Sequence, residues 1–345
     1  MTNNSNRKIV LAARPVGEPK QSDFSLQTDP LPSAGDGELL CRTIFLSLDP
    51  YMRGRMSDAK SYSAPVGIGD VMVGGTVSEV LASNNPGFAT GDIVTGFGGW
   101  QEYSVSDGTG LNKIDPSLAP ISTALGVLGM PGMTAYTGLK NIGQPKAGET
   151  VVVAAASGAV GGIVGQIAKL NGCRAVGIAG SPEKCRYVVE ELGFDACVSH
   201  YDDAFPAHLK AACPDGIDVY FENVGGKVFS AVSKLLNPFA RIPVCGLIAN
   251  YNMTELPTGP DMTPLLMRQI LTHRLTLRGF IVWDFADQAT EFISTVGSWV
   301  KEGKIKYRED IVDGLENAPE AFIGLLKGKN FGKLMIRVSG EPTNG

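Results

Sequence analysis

The sequence predicts an α/β protein: a β-rich unit that the chain leaves, a doubly wound parallel-sheet unit in the middle, and a return to the first unit. Three observations predict it. The first third is a series of short strand-like runs separated by Gly, Pro, Asp and Asn turns. From about Ile121 onward, strand-like and helix-like runs alternate, the pattern of βαβ units and a parallel sheet. The tail then returns to strand character, and 345 residues leave room for roughly two domains of ordinary size.

The elements follow in order. Residues 8–13, 37–46, 71–81, 93–96 and 101–105 are short strand-like runs, with the turn Asn85-Pro86-Gly87 between two of them. Strands at this spacing suggest a small barrel or a sandwich. Residues 150–155 form a buried-strand run, and 160–171 read as a helix stopped by Gly172. A strand at 174–179 and a helix at 182–192, ended by Gly193, come next. Strands are expected at 196–199, 219–222, 241–245 and 275–282. Residues 286–301 place Ala289, Phe292, Ile293, Val296, Trp299 and Val300 at helical spacing, an ordinary core-facing helix. Residues 306–312 and 333–338 are the closing strands.

Composition narrows the function classes. Hydrophobic residues make up 43% and charged residues 19%, enough apolar material for cores and too little charge for a disordered chain. A net charge of -5 disfavours a nucleic-acid-binding role for the whole chain. No apolar run reaches the roughly 20 residues of a membrane helix. The start, Met1 to Lys8, is polar and unlike a secretory signal, so a cytoplasmic protein is expected. The six cysteines, Cys41, Cys173, Cys185, Cys197, Cys213 and Cys245, include no Cys-x-x-Cys pair, which disfavours ribbon-type metal sites and thioredoxin-like chemistry. The 43 glycines point to many tight turns and to backbone that approaches something closely.

One turn carries chemistry. A dinucleotide site needs a strand, a tight glycine turn and a helix N-terminus, because backbone must approach the pyrophosphate and free N–H groups must face it. Here the run 150–155 enters Ala156-Ser157-Gly158-Ala159-Val160-Gly161, with Ala156, Gly158 and Gly161 in the three glycine slots, and an apolar helix follows. Alone the pattern is weak, and a plain strand-turn-helix packed through small residues would also produce it. Its position at the head of a run of βα units favours cofactor binding.

The next strand separates NAD from NADP. An NAD site places Asp or Glu near that strand's end to bond the ribose 2′-hydroxyl. Here Ala179 is followed by Gly180 and Ser181, with Lys184 one turn into the helix. A lysine there suits a 2′-phosphate that a carboxylate would repel, so NADPH is expected. Glu183 could serve as a late acidic residue, and a solvated helix position is the ordinary fate of a lone lysine.

Many alcohol dehydrogenases of this plan use zinc, held by Cys and His, as a Lewis acid. The first 125 residues hold one cysteine, Cys41, and no histidine; His200, His208 and His273 all come later. A three-ligand site of that kind cannot be assembled there, and no metal is expected. An activated carbon–carbon double bond is then the natural hydride acceptor: hydride enters at the β-carbon and charge collects on the carbonyl oxygen, where hydrogen-bond donors hold it.

Several segments together carry a resemblance. Leu46-Ser47-Leu48-Asp49-Pro50-Tyr51-Met52-Arg53-Gly54-Arg55-Met56 stands where zinc enzymes of the medium-chain dehydrogenase/reductase superfamily have their first ligand, and Val71-Met72-Val73-Gly74-Gly75 stands where they have Gly-His-Glu. Met130-Pro131-Gly132-Met133-Thr134-Ala135-Tyr136, Glu222-Asn223-Val224-Gly225-Gly226, Cys245-Gly246-Leu247-Ile248-Ala249-Asn250-Tyr251 and the segment from Gly324 to Lys333 complete the set. Jointly they make the chain resemble the zinc-free leukotriene B4 dehydrogenase/prostaglandin reductase branch, whose members include plant alkenal double-bond reductases.

That resemblance implies a GroES-like barrel domain, residues 1–125 with 310–345, interrupted by a Rossmann NADP-binding domain at 126–309, and an active site in the cleft between. It implies cofactor-binding roles for Gly158, Ala159, Val160 and Gly161 at the pyrophosphate and for Ser181, Lys184 and Tyr201 at the 2′-phosphate. Asn223, Cys245, Gly246, Leu247, Ile248, Phe280, Ile281, Val282 and Asn330 would line the rest of the cofactor, and Tyr251 would hold a ribose or nicotinamide-side group and, with Tyr51, be a candidate catalytic residue. Tyr51 would face the substrate carbonyl; a tyrosine after Asp-Pro is as readily a half-buried turn residue bonded locally. Arg53 and Arg55 could attract an anionic group, but read equally as surface arginines.

The expectation is therefore an NADPH-dependent reductase of hydrophobic enones, curcumin-type molecules among them, working as a homodimer. A quinone reductase or hydroxy-prostaglandin-type dehydrogenase on the same scaffold is a second reading. A non-catalytic NADPH-binding protein, like the lens crystallins of this superfamily, is a third.

Overall fold

The computed structural model describes residues 4–342. The chain divides into two compact units. One holds the chain up to Gly126 and from Glu309 onward, and the other is Val127–Arg308.

In the first unit, β1 (Ser5–Leu11) pairs antiparallel with β2 (Phe24–Pro30). A second sheet is built on β3 (Leu39–Ser47), whose residues are almost all buried. It is flanked by β4 (Thr76–Ser83), which leads to β5 (Ile93–Gly96). On its other edge β3 meets β6 (Tyr103–Ser106) and, farther along, a strand from the chain's end. The short β7 (Asn112–Lys113) pairs with β5. A short helix, α1 (Tyr51–Arg55), leaves β3 through Pro50. Its sequence reads as a turn, and five residues are too few for a periodicity to show. A strand was expected over 71–81, but only its second half forms. Val71 makes one isolated bridge to Val10, and Gly74 and Gly75 then break the run. A Cβ on Gly74 would lie 3.2 Å from the Trp100 ring and overlap Leu46, so this loop is held close against the core.

The second unit opens with α2 (Met130–Gly138) and is organised by a six-stranded sheet. In chain order its elements are β8 (Thr150–Ala154), α3 (Gly161–Leu170), β9 (Arg174–Ala179), α4 (Pro182–Glu190), β10 (Ala196–Ser199), α5 (Phe205–Ala212), β11 (Ile217–Phe221), α6 (Gly226–Val232), β12 (Leu236–Val244), α7 (Thr263–His273), β13 (Thr276–Gly279) and α8 (Ala289–Lys301). Every pairing in this sheet is parallel, in the order β10-β9-β8-β11-β12-β13. Along β8 the faces alternate. Val151 and Val153 pack with α2, α3 and α8, while Val152 and Ala154 pack with α5 and α6. A fully buried valine contributes roughly 1.5–3 kcal/mol, which is why a run apolar on both faces becomes a central strand.

The chain then returns with β14 (Glu309–Asp313), α9 (Ala318–Leu326) and β15 (Lys333–Arg337). β15 pairs antiparallel with β3, Met335 opposite Ser47. The core of this unit gathers around Trp100, whose ring stacks on Phe24 at 5.5 Å and meets Phe322 edge-on at 5.7 Å. The strands expected at 275–282 and 306–312 are shorter than the apolar runs that suggest them. Phe280 and Val282 are buried as turn and helix residues past the end of β13, not as ladder members.

Candidate functional site

The site begins where β8 ends. The strand stops at Ala154 rather than Ala155 because Ala155 takes the left-handed conformation, φ 54°. The Gly158 N–H closes the turn onto the Ala155 carbonyl at 2.9 Å, and the Gly162 N–H bonds the Gly158 carbonyl at 3.0 Å. α3 then starts at Gly161, whose missing Cβ matters: one there would lie 2.8 Å from the Ala155 carbonyl carbon and overlap its oxygen. Ala156, in the first slot, is fully buried, and its N–H bonds the Ile178 carbonyl of β9. Ala159 and Val160 ride on the turn just ahead of the helix, where backbone N–H groups lack intrahelical acceptors. This is a cradle that extra atoms would fill, and it fits a pyrophosphate.

The end of β9 carries a second feature. Ser181 caps α4, its Oγ accepting from the Lys184 N–H at 3.2 Å, which turns the first residues of α4 toward the end of β10. There the His200 N–H bonds the Ala179 carbonyl at 3.0 Å, and the His200 and Tyr201 rings lie 4.3 Å apart. Gly180 keeps this junction open, since a Cβ would meet the Tyr201 ring at 3.2 Å. Burial lowers the His200 pKa, and the nearby Lys227 and Lys184 ammonium groups lower it further. Lys227, in the first turn of α6, also sits over the exposed Tyr201 ring with its Nζ 5.5 Å from the centroid. Three elements therefore converge Lys184, Lys227 and a histidine on one spot. Sequence reading found Lys184 and Tyr201 there and missed Lys227 and His200, because nothing in the linear order links α6 to the end of β9. Glu183 is exposed in the first turn of α4 and suits the helix dipole.

The third group lies past β11 and β12. Buried Glu222 accepts from the Val224 N–H at 2.7 Å, the Gly225 N–H at 2.9 Å and the Tyr220 hydroxyl at 2.9 Å, and so folds the Asn223 turn. Burial pushes the Glu222 carboxyl above the usual carboxylate range despite these donors. Asn223 Nδ2 donates to the Ala154 carbonyl at 2.8 Å, tying this turn to the end of β8. The Cys245 and Gly246 N–H groups both bond the Glu222 carbonyl oxygen, and the Ile248 N–H bonds that of Asn223. Tyr251 folds back so that its hydroxyl accepts from the Leu247 N–H at 3.5 Å and lies close to Gly246. Burial, then the Glu222 carboxylate, pushes the Cys245 thiol up to about 12, so it stays a thiol at neutral pH. Phe280 packs on Phe221 and Phe285, at 6.2 and 6.0 Å, and Val282 is buried, so this segment offers a ligand its backbone and Ile281.

All of these positions lie past the C-terminal ends of parallel strands. β8 is the point where the strand order reverses, the position where open α/β sheets bind ligands.

Two expected residues belong to the other compact unit. Asn330 donates from Nδ2 to the Gly332 carbonyl at 2.9 Å in the turn before β15. Tyr51 opens α1 half-buried, and among the described residues its hydroxyl makes no hydrogen bond, so the locally bonded turn tyrosine is not what forms. Burial, with Asp49 adding to it, drives the Tyr51 pKa well above the ordinary phenol value, so the hydroxyl keeps its proton. Arg53 is a correction: it is buried, not a surface residue, and donates to the Gly17 carbonyl at 2.8 Å. Among the described residues no cluster of His, Cys, Asp or Glu has the makings of a metal site.

Residues 7–114 match the family described as the N-terminal domain of oxidoreductase, and residues 159–298 the family described as zinc-binding dehydrogenase. The NADPH-dependent curcumin reductase of Escherichia coli is 60% identical over 97% of this chain and 98% of its own length. The NADP(+)-dependent 2-alkenal reductase of Nicotiana tabacum is 41% identical, covering 98% of both chains. The crystal structure of CurA from Vibrio vulnificus in complex with NADPH superposes with a TM-score of 0.94 at 56% identity, covering 97% of this chain and 100% of that one. The chain belongs to the zinc-free medium-chain dehydrogenase/reductase family, in the leukotriene B4 dehydrogenase/prostaglandin reductase branch.

Proposed function

We propose that this protein is an NADPH-dependent reductase of the carbon–carbon double bond of α,β-unsaturated ketones and aldehydes, with hydrophobic, curcumin-type enones as substrates. The observation that carries the reading is the pair of cations Lys184 and Lys227, converging on the His200 ring beside the Gly158–Gly161 cradle, with no carboxylate at the end of β9. It suits a nucleotide with a 2′-phosphate, and both named relatives that reduce conjugated substrates use that cofactor.

The roles we assign are these. Ala159, Val160 and Gly161 present backbone to the pyrophosphate. Ser181, Lys184, Tyr201 and Lys227 hold the 2′-phosphate end. Asn223, the 245–251 segment with Tyr251, residues 280–282 and Asn330 hold the remainder. Bound NADPH supplies a hydride for the β-carbon of the enone. Charge then collects on the carbonyl oxygen as an enolate, and the protonated Tyr51 hydroxyl donates a hydrogen bond to it. A proton delivered to the α-carbon completes the saturated product.

Benzylideneacetone-dependent NADPH oxidation, with the product identified by mass and NMR, tests this reading. A saturated ketone is expected. An allylic alcohol in its place would overturn the chemistry. Turnover confined to quinones or secondary alcohols would favour the alternative dehydrogenase readings, and tight NADPH binding without any turnover would make this a binding protein.

A homodimer joined along the β13 edge is part of the proposal. β13 ends the parallel sheet with mostly exposed residues, and Leu265, Met267 and Leu271 of the preceding α7 are exposed as well. Light scattering on a sizing column should give twice the chain mass. No described helix is long and apolar enough to cross a membrane. The six unpaired cysteines fit a cytoplasmic location, which we also propose.

A further inference from the structure

β3 and β15 part company just where the chain turns toward Tyr51. Their last antiparallel pair there is Met335 opposite Ser47. Two residues away from this pair stand Lys333, at the start of β15, and Asp49, just past the end of β3, both almost fully buried. The Lys333 Nζ spends all three of its donors on one short segment: Ser47 Oγ at 2.6 Å, the Leu48 carbonyl at 3.0 Å and Asp49 Oδ1 at 2.7 Å. Ser47 Oγ in turn donates to Asp49 Oδ2. The backbone is held from both sides too, the Ser47 N–H on the Gly75 carbonyl at 2.8 Å and the Leu48 N–H on the Leu334 carbonyl at 3.2 Å. The Asp49 carbonyl accepts the Met52 N–H at 3.1 Å, the first bond that bends the chain into α1.

A buried ion pair is a poor way to gain stability, because desolvating two charges cancels most of their attraction and an apolar pair of like volume does as well. What such a pair does supply is direction. An ammonium with three fixed acceptors admits one arrangement of the residues around it, and the residue two places beyond Asp49 is Tyr51. We propose that Lys333 and Asp49 are positioning residues for the reaction: their clamp sets the start of α1 and with it the direction in which the Tyr51 hydroxyl meets the substrate carbonyl. This rests on the proposed role of Tyr51. The clamp touches neither substrate nor cofactor, and acts only through the helix start that it fixes.

The test is a double-mutant cycle on the full-length protein, with NADPH and benzylideneacetone. D49N/K333M removes both charges at once and strands neither. We expect kcat to fall about tenfold or more, the cost of a misdirected group, while the NADPH Kd, measured by quenching of protein fluorescence, stays within about twofold. In a Y51F background the same pair of substitutions should change kcat less than about twofold, because the group being aimed is gone. S47A, which removes one acceptor and leaves the ion pair, should show the same pattern at smaller amplitude. It carries the test if the double variant does not fold. An equal loss of kcat in the wild-type and Y51F backgrounds would mean a merely structural pair and would overturn the proposal, as would an undiminished kcat in D49N/K333M or, where that does not fold, in S47A. If Y51F itself turns over at the wild-type rate, the Tyr51 reading falls first and takes the clamp with it.

Discussion

Gly161 stands directly against the backbone of Ala155, so close that a Cβ would lie 2.8 Å from the Ala155 carbonyl carbon and 3.0 Å from Ala156 Cα. The obstacle is main chain in a tight turn, which cannot swing aside as a side-chain tip can. Gly161→Ala should therefore displace the start of α3, cost about 1–3 kcal/mol of stability and weaken NADPH binding by tenfold or more. Gly158→Ala meets its nearest atom, the Ala155 oxygen, at 3.1 Å and should cost less on both counts. Thermal melts and NADPH titrations of the two variants check the order.

Lys184 and Lys227 both act on His200 although they come from different helices. If they share a 2′-phosphate, Lys184→Ala and Lys227→Met should each raise KM for NADPH by about 10- to 100-fold, the range for losing a charge-assisted hydrogen bond, and leave KM for NADH within about twofold. Calorimetry with 2′,5′-ADP against 5′-AMP gives the same comparison without turnover. Equal losses for both nucleotides would remove these lysines from the 2′-phosphate.

Glu222 organises the Asn223 turn through three donors at 2.7 to 2.9 Å. Glu222→Ala leaves them unpaired in the interior and should cost about 2–4 kcal/mol, read from denaturant unfolding. Its folded pKa lies above the unfolded value, so its favourable contribution is complete below the unfolded value and is lost as pH rises through the folded one. The wild type should thus gain on Glu222→Gln as pH falls from 7 toward 5. A stability difference that does not change with pH over that interval would contradict the raised carboxyl.

The thiols of Cys41, Cys173 and Cys213 are pushed up to about 11, and that of Cys245 to about 12, chiefly by burial. Unfolding frees each to ionise near 9. Stability from this source is complete below about pH 9 and is lost progressively from there toward pH 12. Melting temperatures between pH 8 and 11 should decline, and a Cys245→Ala variant should show a shallower decline.

The strands and helices around the glycine turn were legible because their signals are local. The strand at 174–179 has those bounds in the structure, 150–155 is one residue longer than β8 at one end, and 160–171 is one residue longer than α3 at each end. The β-rich unit was harder to read. The run 71–81 looks like one strand, yet Gly74 must pass against Trp100 and Leu46, a packing demand that no window of sequence contains. Phe280 and Val282 continue an apolar run but belong to the core beyond the ladder. Arg53 read as a surface residue because arginine usually is one; its burial depends on a carbonyl from Gly17, far away in sequence.

Sequence alone determined the glycine turn, the absence of an acidic residue at the end of β9 and the shortage of histidine and cysteine in the first unit, since each is a matter of which residue stands next to which. Tertiary structure decided what comes together across long separations. It set Lys227 and His200 beside Lys184, it left the Tyr51 hydroxyl without a hydrogen bond among the described residues, and it locked Lys333 onto Asp49 across 284 positions of chain. The reason is physical. Backbone conformation answers to near neighbours, whereas a buried charge can only be satisfied by whatever the folded chain brings within three ångströms of it.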